Sequence, residues 1–258
     1  MKALTAICMA IVGASSSIAG AQPADLPALY ATAPDVSAVT IIERAHAASG
    51  GAPWVRPTTL KMTGYGVFYR GGETRVYDDY TMLRVYPKGK ADARVADGKV
   101  RIEGKKDGRT VFLIAFDGER TYDASGPLSD QSANARWAAN FGFGAIRHAL
   151  DDGWAQKRLP DDLIDGRPAH FVELTDPAGG VTRFGIDAET YAVLYVGFDT
   201  DRGWHERRYS NFFKKPGVSW VQPGRVRLFY DGVKQNEIIW TDFEVDAELA
   251  DDLFVVPG

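Results

Sequence analysis

Residues 134–154 read NARWAANFGFGAIRHALDDGW, the one long helical pattern in a chain otherwise made of strand patterns. At about 100° per residue, Trp137, Ala138, Phe141, Ala145 and Ala149 fall on one side, with Phe143, Ile146, Leu150 and Trp154 nearly opposite. The polar wedge between them, Arg136, Asn140, Arg147 and Asp151, is narrow. A surface helix needs a single apolar stripe, so a nearly encircling one predicts partners on two sides: a curved sheet below and something else above. Gly142 and Gly144 weaken the helix in its middle, and Gly153 offers the left-handed conformation that stops it.

Outward from this helix the period changes from 3.6 to two. In TLKMTGYGVFYR, residues 59–70, Leu60, Met62, Gly64, Gly66 and Phe68 share one face. Two glycines on that face predict bending, or the close approach of another element. Gly71-Gly72 leads into a second long strand from Thr74 to Tyr86. Shorter strands follow at Ala93 to Ala96, Lys99 to Gly104, Arg109 to Phe116 and Glu119 to Tyr122, with Asp97-Gly98, Asp107-Gly108 and Asp117-Gly118 as tight hairpin turns. After the helix, Asp165-Gly166, Gly179-Gly180 and Asp231-Gly232 punctuate a second meander. Its strands are His170 to Thr175, Val181 to Ile186, Ala192 to Thr200, Trp204 to Phe213, Trp220 to Tyr230 and Gln235 to Val245. So many long strands exceed what a flat sheet usually holds, so the sheet is expected to curl strongly without fully closing. An earlier helix, capped by Ser37 and ended by Gly50 and Gly51, carries Val39, Ile41, Ile42, Ala45 and Ala48 largely on one face and is expected to pack on that sheet.

The chain opens with Lys2, an apolar run from Ala3 to Val12 and small residues ending Ala19-Gly20-Ala21, the order of a secretory signal peptide cleaved after Ala21. Residues 22–36, with Pro23, Pro27 and Pro34, read as a loose arm, and residues 37–258 as a single domain. The chain's single cysteine, Cys8, lies in the leader, so the exported product depends on its core rather than on disulfides. The formal net charge of −4, with both signs interspersed, leaves no footprint for nucleic acid. No second apolar run approaches the ~20 residues that span a bilayer.

Catalytic and metal chemistry finds little purchase. His205 and Glu206 are adjacent on a strand and face opposite ways, so with Asp199 and Asp201 they make a poor metal site. His46, His148 and His170 sit on separate elements, without a metalloprotease or zinc spacing. There is no nucleophile elbow, and the exported chain has no thiol. Residues 142–147, GFGAIR, match half of a dinucleotide fingerprint but lack its third glycine and preceding strand. Pairs such as Asp78-Asp79, Asp151-Asp152, Asp161-Asp162 and Asp251-Asp252 read as solvated surface. No catalytic residue, metal or cofactor is therefore assigned.

The order of parts resembles the LolA-like superfamily of periplasmic outer-membrane lipoprotein-sorting proteins. The resemblance rests on IIERAHAASGGAPWVRPTTLKMTGYGVFY at residues 41–69, FDGERTY at 116–122, YSNFFKKPGVSWVQPGRVRLFYDG at 209–232 and DLFVVP at 252–257, and spans Val39 to Pro257. It implies an unclosed β-barrel covered by helices, with a cavity between them for acyl chains. This chain is longer than the best-known carrier of that family, with long first strands and an extended second meander, so none of that carrier's functional residues is transferred.

Together these readings predict an α+β fold: a strongly curved antiparallel sheet, an unclosed β-barrel, with helices covering the concave face. The expected function is non-catalytic binding or carriage, in the periplasm, of a lipid, a lipoprotein acyl chain or another hydrophobic ligand. An envelope sensor or assembly module, and a hydrolase acting on an amphiphile, are the alternatives. Expected partners are a lipid or acylated protein and an envelope membrane protein. The residues expected to line the hydrophobic cavity are Leu60, Met62, Phe68, Trp137, Phe141, Phe143, Ile146 and Leu150.

Overall fold

The structure, a computed structural model, describes residues 36–86, 98–130, 134 and 143–258. The leader, the arm before Val36, the strand expected at Ala93 to Ala96, and Trp137 and Phe141 lie outside the described residues. Among those described, thirteen strands form one sheet: β1 Thr59–Arg70, β2 Glu73–Val85, β3 Lys99–Lys106, β4 Arg109–Phe116, β5 Thr121–Asp123, β6 Gly126–Pro127, β7 Ala155–Ile164, β8 Arg167–Thr175, β9 Val181–Asp187, β10 Val193–Thr200, β11 Gly203–Phe213, β12 Gln222–Tyr230 and β13 Val233–Val245. The spatial order is β6-β5-β4-β3-β2-β1-β13-β12-β11-β10-β9-β8-β7, and every neighbouring pair is antiparallel. The chain thus meanders outward from β1 to one edge, crosses to the other, and meanders back until β13 lies against β1. The sheet is curved and not closed.

Most of the hairpins are written in their turns. Asp107-Gly108, Asp165-Gly166 and Asp231-Gly232 have positive φ at both residues, 50° and 73°, 51° and 81°, and 47° and 76°. That geometry matches the twist of the strands it joins. Asp117-Gly118 differs: the Asp117 carboxylate accepts from the Glu119 and Arg120 N–H groups, each at 2.8 Å, so β5 starts only at Thr121.

The bend comes from β1. Its register shifts against β13 between Thr63 and Gly64, and against β2 between Gly64 and Gly66. Gly64 pairs with Tyr80 and Gly66 with Tyr77, so β2 carries an extra residue and both tyrosines reach the same face, their rings 6.2 Å apart and nearly parallel. Bulges on both sides at one level kink a strand and raise its local twist. A Cβ on Gly64 would sit 1.9 Å from the Ile239 carbonyl oxygen. Both possibilities raised by the glycine pair apply: the strand is irregular at this level, and the β13 backbone comes close to Gly64.

Three α-helices stand on the described part of the sheet: α1 Ala38–Ser49, α2 Ala52–Val55 and α3 Gly144–His148. The Ser37 hydroxyl accepts from Thr40 N–H at 3.1 Å, and Gly50, at φ 131°, ends α1. Ile41, Ile42 and Ala45 of α1 are fully buried and join one core with Val172, Leu174, Phe184 and Ile186 of β8 and β9. No described helix is long and apolar enough to cross a membrane.

Two expectations need correction. The helix read as continuing to Trp154 ends at His148. Beyond it the Asp151 N–H reaches back to the His148 carbonyl, and the Asp151 carboxylate is held by His148 Nδ1 and by Arg56. Residues 155–164, AQKRLPDDLI, which carried no strand assignment, form β7. Pro160 and the Asp161-Asp162 pair obscured its alternation, yet both are tolerated because β7 is an edge strand with a bulge between Leu159 and Asp162.

Gly64→Ala is expected to destabilise the protein by ~3 kcal/mol or more, because the intruding atom is backbone and cannot rotate away. Lys61→Ala on the same strand should stay within ~0.5 kcal/mol. Urea unfolding midpoints check both. His205 gives a second prediction. It is 1% exposed, stacked on Phe198 at 4.4 Å and edge-on to Tyr230 at 5.2 Å, with no hydrogen-bond partner on either ring nitrogen. Burial, aided by Arg207 and Arg202, pushes its pKa from 6.5 down to about 2. The unfolded chain takes up the proton first, so this contribution is complete above 6.5 and is lost as pH falls toward the folded value. Between pH ~7.5 and ~4.5, wild type should lose ~2 kcal/mol more stability than His205→Phe, read from unfolding curves at the two pH values.

Candidate functional site

Strand alternation gathers one set of side chains on the concave face. Leu60 and Met62 of β1, Tyr80, Met82 and Arg84 of β2, Ile102 of β3, Arg207 and Tyr209 of β11, Val226 and Leu228 of β12, and Ile238 and Trp240 of β13 all line a cavity of about 150 Å³. Phe143, Arg147 and Trp220 line it from α3 and from the loop before β12. A cavity of this size holds a benzene-sized apolar group, below the ~300–1,000 Å³ of a pocket for a drug-sized ligand.

The helical side is an aromatic cluster around one cation. Arg147 is 4% exposed. Its guanidinium carbon lies 4.7 Å from the Trp54 ring centre, 5.0 Å from Tyr86, 5.1 Å from Trp220 and 5.9 Å from Phe143. Phe143 in turn packs against Tyr209 at 4.7 Å and Trp54 at 5.4 Å. Backbone contacts fix α3 beneath this cluster. His46 Nε2 donates to the Ile146 carbonyl at 2.7 Å, and Arg56 donates to the Arg147 carbonyl at 3.1 Å. The His46 pKa is lowered chiefly by burial, opposed by that hydrogen bond.

Arg84 is also 4% exposed, its guanidinium over Tyr86 at 5.3 Å. Its pKa is lowered first by burial; Tyr86 opposes this, while the like charges of Arg147 and Arg207 add to it. Burial likewise raises the phenol pKa values of Tyr80 and Tyr209. The described lining residues include no carboxylate, histidine, serine or cysteine. No cluster of potential metal ligands occurs among the described residues.

Of the cavity residues expected from the sequence, Leu60, Met62 and Phe143 line it. Phe68 lies further along β1, packed on Tyr77 at 4.8 Å and Tyr80 at 5.5 Å. Ile146 is fully buried in the core, and Leu150 is 39% exposed, turned to solvent where the chain leaves α3. Trp137 and Phe141 lie outside the described residues. Sequence reasoning missed Arg84, Arg147 and Arg207. The signal lay in the alternation: Tyr80, Met82, Arg84 and Tyr86 share one face, as do His205, Arg207 and Tyr209, so two of these arginines interrupt faces that are otherwise aromatic or apolar.

No protein-family model and no curated protein sequence matches the chain. Several solved structures align with most of it at low identity. A LolA superfamily protein from Nitrosomonas europaea is 16% identical, covering 85% of this chain and 98% of that one at a TM-score of 0.49. A domain named for outer membrane lipoprotein sorting, from Vibrio parahaemolyticus, is 15% identical over 84% and 97% at 0.49. A DUF1329 family protein from Desulfovibrio piger is 13% identical over 84% and 96% at 0.48.

Proposed function

We propose that this chain is an exported, non-catalytic binding protein or carrier that takes the apolar part of a lipid, a lipoprotein acyl chain or another hydrophobic ligand in the periplasm. The observation that carries the reading is the cavity between the helices and the concave face, with Leu60, Met62 and Phe143 on its wall. Each methylene moved from water into such a space contributes ~0.8 kcal/mol, so affinity needs area and no special chemistry. The volume suits a few carbons, and a longer tail requires the walls to give. Met62 and Met82, unbranched and adaptable, are the wall residues suited to that. Among the described residues the lining offers no nucleophile with a base beside it, which favours binding over turnover. The signal-peptide pattern at residues 1–21 supports export.

Mass spectrometry of the natively purified protein is expected to return an accompanying apolar molecule. Val226→Trp, which fills the cavity, is expected to weaken uptake of a fluorescent hydrophobic probe at least tenfold while unfolding stays cooperative. A wild-type chain that carries no apolar molecule and takes up no probe overturns the reading.

A further inference from the structure

The cavity wall along β1, β12 and β13 is mostly apolar, interrupted by Gln222 and Asn236. Arg84, Arg147 and Arg207 line it from three separate elements, and none of the described lining residues is a carboxylate. The nearest acid by sequence to Arg147, Asp151, is engaged by Arg56 and His148. Arg147 contributes a buried guanidinium whose contacts are aromatic faces, and its Nε has no hydrogen-bond partner. Aromatic faces attract a cation but accept no directed hydrogen bonds of the strength a carboxylate gives. Arg84 and Arg147 are buried and Arg207 is half-buried; like charges brought together in a low-dielectric space repel, and the lowered pKa of Arg84 reflects burial first and that repulsion second. A planar guanidinium fork is matched by a carboxylate or a phosphate, which accepts two parallel N–H bonds.

We propose that the ligand of this cavity is an anionic amphiphile, whose oxyacid head lies on Arg147 between Arg84 and Arg207 while its hydrocarbon part lies along Met62, Ile238 and Trp240. This rests on the binding function proposed above and narrows it to one chemical class. Arg147 then does two things: its ring contacts hold α3 in place, and its unpartnered Nε–H orients the ligand head toward the helices and the tail toward the sheet.

The test compares eight-carbon ligands that differ only in the head, by competition against the hydrophobic probe: octanoate, octyl phosphate, octanol and octyltrimethylammonium, with acetate and inorganic phosphate as tail-free arms. Octanoate or octyl phosphate should bind at least tenfold more tightly than octanol and the ammonium compound, and whichever of the two is stronger identifies the head. Arg147→Gln should remove that preference, and Arg207→Gln should reduce it. Because the head-group comparison is made on the wild type, it stands even if a variant fails to fold. Equal affinity for octanoate, octyl phosphate and octanol overturns the anionic head but leaves the carrier reading intact. Binding of acetate or phosphate as tight as that of the eight-carbon anions overturns the amphiphile in favour of a free anion. Failure of every eight-carbon ligand to displace a bound probe overturns the amphiphile, and failure of the probe itself to bind overturns the carrier reading with it.

Discussion

The structure depends on its first and last strands meeting. Leu60 pairs with Val245 and Phe68 with Asn236, and this single ladder joins the meander running out to β6 to the one returning from β7. Every other strand pairing is between neighbours in sequence, and most are closed by a few residues. The β1–β13 ladder is closed only across almost the whole domain, so it carries the largest single loop-closure cost. It is also where the sheet bends, because the β13 backbone presses onto Gly64 more closely than any side chain allows. The concave face, and the hollow above it, follow from that approach.

A hollow with three arginines on its wall needs physical support, and much of it comes from rings. Around Arg147, four aromatic side chains replace the water a guanidinium would otherwise keep, each contributing on the order of 1–2 kcal/mol when desolvated. These rings come from α2, from the residue after β2, from the residue before α3 and from the loop before β12. The cation therefore acts as a shared anchor for segments far apart in sequence. A five-residue helix such as α3 has no intrinsic stability; its position is set by this anchor and by the His46 and Arg56 hydrogen bonds to its carbonyls.

The parts of this fold that were legible in the sequence are those written locally. Asp-Gly pairs gave the hairpins, Ser37 gave the start of α1, and alternation along residues 60–68 gave both the buried face and the glycines that admit β13. For Leu60, Met62 and Phe143, apolar periodicity marked an inward position, and the expectation of a cavity there came from the family resemblance. What could not be read was any feature decided by a distant partner. β7 is a strand because β8 pairs with it, despite Pro160 and two aspartates. Arg147 falls in the polar wedge of a helical wheel, and a wheel assumes that charge faces water. Only the apposition of Trp54, Trp220 and Tyr86, from three other segments, reverses that assumption. Leu150 errs the opposite way, since the helix ends before it can be turned inward.

The open margins of the sheet have a consequence of their own. An unclosed sheet offers a row of bare backbone donors and acceptors at each rim, which in a concentrated solution would invite fibre-like growth by strand addition. Here one rim is two residues long and includes Pro127, with the Gly258 backbone lying against Gly126. The other is interrupted by Pro160, by a bulge and by exposed aspartate charge. Both terminal strands are therefore poor templates for strand addition.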